Sequence, residues 1–298
     1  MTNQLNGISA EEVAGQATES RTCLLNPSVA RVEILRRKSC RHERTVEDFS
    51  ADYQVCFPYQ GMFTWHVEGD DVVGDPNQII FVRGGEGYSI SGPVSGGYAE
   101  LIISPDIEVL SEIARVNGGG LFEHPLFRRR HLRASPSLQI LRSRFIHWAT
   151  RSDQVDALEA DESVIALLRA AVHDGGAHRV QCGAATARLI RRTKAFLEAA
   201  LSNRIRLDDV GRAVGASPAY LTDVFSRVEG VSLHQYLMQL RLSYALAELP
   251  HTDDLTMLAL ETGFSSHSHF SAVFRRAFGC TPSQFREMAR RPTAGASG

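Results

Sequence analysis

From about residue 53 to residue 104 the pattern of apolar and polar residues reads as short strands separated by turns. Tyr53, Val55 and Phe57 alternate with polar or small neighbours, and Phe63, Trp65 and Val67 do the same. Asp70-Asp71 can turn the chain before Val72, and the apolar run Gln78 to Val82 stops at Gly84-Gly85. Tyr88 and Ile90 follow, then Gly92-Pro93 and Gly96-Gly97, then a further strand from Tyr98 to Ile103. A period of two, cut into short pieces by Gly and Pro, predicts a β-sandwich or barrel. The polar residues ahead of it predict a flexible arm over 1–25.

The period then changes to that of a helix. Leu138, Leu141, Phe145 and Trp148 share one helical face, and Val164, Leu167, Leu168 and Ala171 share another. The first of these stripes is a candidate dimer contact; the alternative is packing inside its own chain. Asp174-Gly175-Gly176 ends the second helix and Gly183 follows, so a domain boundary is expected between residues 174 and 184. From Thr186 to Arg290 the pattern is helical throughout. The expected organisation is an α+β chain: an N-terminal unit at 26–180, an all-helical unit at 187–290, and a disordered tail at 291–298.

The helical unit contains an internal repeat. Leu207, Val210 and Gly215 recur 48 positions later as Leu255, Leu258 and Gly263. After one inserted residue, Ser217, Leu221, Val224, Phe225, Arg227 and Gly230 recur as Ser266, Phe270, Val273, Phe274, Arg276 and Gly279. Ser232-x-x-Gln235 and Thr281-x-x-Gln284 are matching capping boxes. Each copy reads as a short amphipathic helix, a Gly suited to positive φ, a Ser N-cap (Ser217; Ser265 or Ser266) and a second helix with a polar outer face. That is a helix-turn-helix, at 207–228 and again at 255–277, with a long helix from Leu233 to Leu249 setting the distance between the two.

These residues resemble the AraC/XylS family of bacterial transcription regulators. The second copy carries the family signature: Ala259-Leu260-Glu261-Thr262-Gly263-Phe264-Ser265-Ser266, then His269-Phe270-Ser271-x-x-Phe274-Arg275-Arg276-x-Phe278-Gly279, then Thr281-Pro282-Ser283-Gln284-Phe285-Arg286. Tyr236, Arg241, Leu242 and Ala245 match along the linking helix. The resemblance covers residues 187 to 290. It implies that two helix-turn-helix units read adjacent major-groove segments of promoter DNA. It further implies a cupin-like N-terminal barrel that binds a small-molecule effector or forms a homodimer, a contact with RNA polymerase, and activation rather than repression.

On that reading the base-facing candidates are Ser217, Ala219, Tyr220, Thr222, Asp223 and Ser226 on the first recognition helix, and Ser266, His267, Ser268, His269, Ser271 and Ala272 on the second. Donors, acceptors and small apolar groups of this kind suit base edges. Arg227, Arg241, Arg275 and Arg276 suit phosphates, which position the protein without specifying sequence. Asp223 departs from the Arg or Gln that family members often carry nearby. It accepts from cytosine N4 or pairs with Arg227 at i+4. For His267 and His269 the alternative is a plain polar helix face.

Charge supports the division. Residues 187–298 hold 14 Arg/Lys against 10 Asp/Glu, while the preceding 186 hold 18 against 24, so the net charge of −2 is split into a basic and an acidic part. Five widely spread cysteines without a C-x-x-C pair fit a reducing cytosol better than a disulfide framework. No eighteen-residue apolar run predicts a membrane span, and no secretory signal pattern opens the chain.

Enzyme chemistry finds little support. His42, His66 and His124 are isolated and the strand region has no H-x-H, so a cupin-type metal enzyme with a DNA-binding tail is disfavoured, and no cofactor or metal is expected. Cys40-x-His42 reads as unrelated side chains. Arg83-Gly84-Gly85-Glu86-Gly87 lacks the Lys-Ser/Thr ending of a phosphate loop. Trp65, Arg83 and Glu86 are the candidates for an effector pocket. A ligand-independent dimeric regulator, with the barrel only an oligomerisation module, is the other open reading.

Overall fold

The computed structural model describes residues 18–38, 44–92, 97–116, 127, 129–151, 155–173 and 182–290. Cys40, His42, His124 and the 291–298 tail lie outside them.

Ten strands precede and interleave with the first helices: β1 (Thr18–Leu25), β2 (Ala30–Lys38), β3 (Asp48–Phe49), β4 (Gln54–Gly61), β5 (Phe63–Val67), β6 (Asp70–Gly74), β7 (Gln78–Val82), β8 (Gly87–Ser91) and β9 (Tyr98–Pro105), then α1 (Ile107–Val116), β10 (His131–Arg133), α2 (Pro136–Arg151) and α3 (Ala157–His173). They form a six-stranded sheet in the order β1-β2-β9-β4-β7-β10 and a four-stranded sheet in the order β3-β8-β5-β6. The expected barrel is therefore not closed: among the described residues no ladder joins the two sheets. Gly and Pro turns mark where strands end, but closure depends on tilt and register, which those turns do not encode.

β1 corrects the expected arm. Residues 18–25 pair antiparallel with β2 from Thr18↔Lys38 to Leu25↔Val32. The strand is largely exposed, so its backbone ladder rather than an apolar face holds it, and an exposed edge strand leaves no hydrophobic signature.

The central strands of the six-stranded sheet are buried on both faces. Leu101 and Ile103 of β9, Val55 and Phe57 of β4 and Ile79 and Phe81 of β7 pack against α1 to α3. Their neighbours in sequence, Ile102, Cys56 and Ile80, turn the other way, toward Phe63, Trp65 and Val72 of the four-stranded sheet. Alternation thus divides each central strand between two cores.

Seven helices complete the chain: α4 (Ala184–Ala199), α5 (Leu207–Val214), α6 (Pro218–Glu229), α7 (Leu233–Glu248), α8 (Leu255–Glu261), α9 (His267–Phe278) and α10 (Pro282–Arg290). α7 divides between two cores. Tyr236, Leu237 and Leu240 join Leu221, Val224 and Phe225 of α6, while Leu242, Leu246 and Leu249 join Phe270, Phe274 and Phe285.

α2 corrects a second expectation. Its face Leu138, Phe145 and Ala149 enters the core beneath the six-stranded sheet, and Ile140 packs with the second C-terminal core. Arg142, fully buried, donates from Nη1 to the Pro58 carbonyl (2.6 Å) and the Pro76 carbonyl (3.2 Å). Ser143 Oγ donates to the Leu246 carbonyl at 3.1 Å. The stripe expected as a dimer contact is covered by its own chain. Arg142 and Ser143 are thus hydrogen-bonded inside the protein, which is how buried polar groups are tolerated.

Candidate nucleic-acid interface and N-terminal cavity

The two repeats become two nearly identical structural units. α5 ends at Gly215 (φ 74°), and Ser217 caps α6 by accepting from the Tyr220 N–H, with Pro218 opening the helix. α8 is followed by Gly263 (φ 84°), and Ser266, not Ser265, caps α9 by accepting from the His269 N–H at 3.1 Å. Both second helices end at a left-handed glycine, Gly230 and Gly279. Positive φ is nearly free of cost for glycine, so these residues let each helix stop and turn sharply. The buried side is Leu221, Val224 and Phe225 in one unit and Phe270 and Phe274 in the other.

The opposite sides face solvent. Ser217, Ala219, Tyr220, Thr222 and Asp223 are exposed on α6, with Ser226 half-buried. Ser266, His267, Ser268, His269 and Ala272 are exposed around α9, with Ser271 half-buried. Some of these groups are already engaged. His269 Nδ1 lies 3.2 Å from Ser265 Oγ and its ring packs edge-on to Phe264; His267 Nε2 lies 3.4 Å from Ser271 Oγ. Asp223 accepts from Arg227 at 2.8 Å, both exposed. Arg275 and Arg276 are exposed in the last turn of α9.

Arg241 is not a phosphate contact. It is buried, and its guanidinium donates to the carbonyls of Leu201 (2.9 Å) and Asn203 (2.8 Å) while lying against Gly263. A Cβ on Gly263 would come within 2.4 Å of the Leu201 carbonyl oxygen, and Ser202 Oγ donates to the Glu261 carbonyl at 2.6 Å. The segment entering the first unit is thereby tied to the turn of the second. This spacer role of Arg241 had no signature in the pattern, because a lone arginine on a helix facing DNA-binding units reads as a phosphate contact.

The C-terminal helices also sit against the N-terminal sheets. Asp75, in the turn between β6 and β7, accepts from Tyr236 OH at 2.7 Å and pairs with Lys194 of α4 at 3.3 Å; Lys194 also meets Glu229 at 3.0 Å. Arg133 of β10 donates to the Glu229 carbonyl at 3.4 Å and to Gln239. Burial alone would lower the Lys194 pKa, but Glu229 and Asp75 more than reverse it and hold the ammonium charged. The Gly61 N–H donates to Tyr244 OH at 3.0 Å, and that hydroxyl donates to Glu198 at 2.5 Å.

Between the two sheets lies a cavity of about 380 Å³. Trp65 lines it. Arg83 and Glu86 do not: they pair with each other at 3.2 Å, and Glu86 also binds Arg130. Arg130 sits 5.6 Å from the Trp65 ring centre. Burial works against the Glu86 carboxylate, but Arg130 and Arg83 hold its pKa below the usual range. His66 is bound to Asp71 (2.6 Å) and Ser91 (2.7 Å). Among the described residues no three His, Cys, Asp or Glu side chains gather to hold a metal, and no helix is long and apolar enough to cross a membrane.

Two glycine-broken helix pairs with polar outer faces on either side of one long helix define a DNA-binding domain of the helix-turn-helix class. A helix-turn-helix domain family matches residues 210–288. The transcriptional regulator ExsA of Pseudomonas aeruginosa is 36% identical over 101 residues, 34% of this chain and 36% of that protein. The transcriptional activator RhaR of Klebsiella pneumoniae is 36% identical over 103 residues, 34% of this chain and 37% of that protein. A solved transcriptional regulator of Chromobacterium violaceum with an AraC-type DNA-binding domain is 29% identical, covering 37% of this chain and 99% of that one, with a TM-score of 0.34. In this C-terminal domain the chain is similar to transcription regulators of the AraC/XylS type. The shared segment spans about a third of the length of the curated relatives.

Proposed function

We propose that the chain is a sequence-specific transcription activator that binds promoter DNA through α6 and α9 and is controlled by a small-molecule effector in its N-terminal unit. The observation that carries the reading is the pair of capped helices α6 and α9, each burying two or three apolar residues and exposing the polar ones, held at a fixed distance by α7 and Arg241. Such helices fit the major groove, with Arg227, Arg275 and Arg276 placed for phosphates. RNA polymerase and a second copy of the chain are further partners in this reading, but α2 is not the surface for the second copy.

The division into a sensing and a DNA-binding unit follows the boundary expected at 174–184, with the sensing unit beginning at β1 rather than at residue 26. The cavity between the sheets favours a sensing role over a purely oligomerising one. An enzyme is disfavoured by the regulator relatives. Selection of genomic fragments by the purified protein, followed by a salt titration of the recovered site, tests the reading. Two short elements about 10 bp apart are expected. Enrichment no better than for random DNA, with and without cell metabolites, would overturn it.

A further inference from the structure

The inner face of β9 carries Tyr98, Glu100 and Ile102 into the space between the two sheets. Glu100 occupies a position where alternation calls for an apolar side chain. It is buried, no described side chain hydrogen-bonds to its carboxyl group, and burial pushes its pKa up to about 8 against the smaller lowering effect of the Arg21 and Arg37 charges. An unpaired carboxyl in an apolar core costs stability unless a ligand supplies the missing partner. The cavity around it, at about 380 Å³, is at the small end of the ~300–1,000 Å³ range of ligand pockets.

Three further observations fix the chemistry. The walls are aromatic and apolar, with Phe63, Trp65 and Ile80 among them. The charged lining residues are Glu19, Glu47, Asp48 and Glu100 against Arg21 and Arg37, an excess of two acids. Both arginines already have carboxylates of their own: Arg37 pairs with Glu19 at 2.5 Å and Arg21 lies 3.8 Å from Glu33.

We propose that the inter-sheet cavity binds a small organic amine, its ammonium group on Glu100 and its apolar body among Phe63, Trp65 and Ile80. A bound ammonium provides the direct hydrogen-bonding cation that Arg21 and Arg37, acting on Glu100 only through their charge, do not, and the rings favour a cation over an anion of the same size. A carboxylate ligand would meet the acid excess with both arginines already engaged. The inference rests on the proposed effector role of the N-terminal unit.

The test uses the full chain at pH 8 with phenethylamine and n-hexylamine as probes, against 2-phenylethanol and phenylacetate. Melting temperature and the fluorescence of Trp65, one of only two tryptophans, report binding. The amines are expected to bind at least tenfold more tightly than the alcohol or the acid. Glu100→Gln, which keeps the shape and removes the charge, is expected to melt no lower than the parent and to lose at least tenfold in amine affinity. Trp65→Phe is expected to lose the fluorescence response, which assigns that signal to the cavity wall. Equal binding of phenylacetate or the alcohol, undiminished amine binding by Glu100→Gln, or no response to either amine would overturn the proposal. DNA selection on the same preparation separates the two readings: selected DNA without amine binding defeats this inference alone, and amine binding without selected DNA defeats the regulator reading alone.

Discussion

Asp75 and Lys194 meet at 3.3 Å although 119 residues separate them, and neither is exposed: Asp75 is 0% and Lys194 3% accessible. One comes from a turn between strands of the N-terminal unit and the other from the helix that leads into the DNA-binding helices. With Tyr236, Glu229 and Arg133 they form a polar cluster that ties the first helix-turn-helix unit to the N-terminal sheets. A change of strand position at β6 or β7 has a direct route to α4 and α7.

Asp75→Ala should therefore destabilise the protein by about 3–5 kcal/mol, the usual effect of removing one member of a buried ion pair. It leaves the Lys194 ammonium with Glu229 alone and the Tyr236 hydroxyl without its acceptor. Urea unfolding measures the loss. Asp75→Ala combined with Lys194→Met should recover part of it. No recovery would mean that the pair does not act as a unit.

Arg276→Ala should weaken binding to all DNA sequences alike and lower the slope of log K against log salt by about 0.9, the value for one lost phosphate contact. His269→Ala should shift sequence preference instead, because its ring sits at the start of α9 with one nitrogen held by Ser265. Electrophoretic mobility at several salt concentrations distinguishes the two.

Asp223→Ala should tighten non-specific DNA binding. The Asp223 carboxylate holds the Arg227 guanidinium at 2.8 Å on an exposed face. Its removal frees one cation and deletes one charge that phosphates repel. A weaker complex would assign Asp223 a direct contact with a base such as cytosine N4.

Gly263→Ala and Gly215→Ala differ in kind. Both positions have positive φ, which alone costs an alanine about 1–2 kcal/mol. At Gly215 a Cβ meets nothing within 4 Å, whereas at Gly263 it would strike the Leu201 carbonyl at 2.4 Å and the Arg241 guanidinium. The Gly263 variant should lose clearly more stability, and the selected DNA should lose its strict spacing between elements. Thermal melts and binding to sites of altered spacing check both.

Glu198→Gln should stabilise the protein at pH 8 and have little effect near pH 4. Burial pushes the Glu198 pKa up to about 7, against the smaller opposing effect of the Tyr244 hydroxyl. The folded protein therefore binds a proton more tightly than the unfolded chain, so this carboxyl withdraws stability as pH rises from about 4.5 to 7. Glutamine removes that penalty, by up to ~3 kcal/mol at pH 8. Equal melting temperatures of the two proteins at pH 8 would contradict it.

The sequence alone determined the C-terminal unit almost completely. Helix periodicity, serine caps, capping boxes and left-handed glycines are all local, so Ser217, Gly215, Ser266 and Gly263 could be placed from neighbours a few residues away. The outward faces of α6 and α9 followed from the same periodicity. What the chain did not disclose depended on distant partners. β1 is held by its ladder to β2, Arg241 is consumed by carbonyls forty residues back, and α2 is covered on both sides although half of one side is polar. The position of Glu100 inside a cavity, and the closing of Asp75 on Lys194, were decided only when the two sheets and the helices packed together, because burial and charge pairing are properties of surroundings that a strand or helix pattern does not contain.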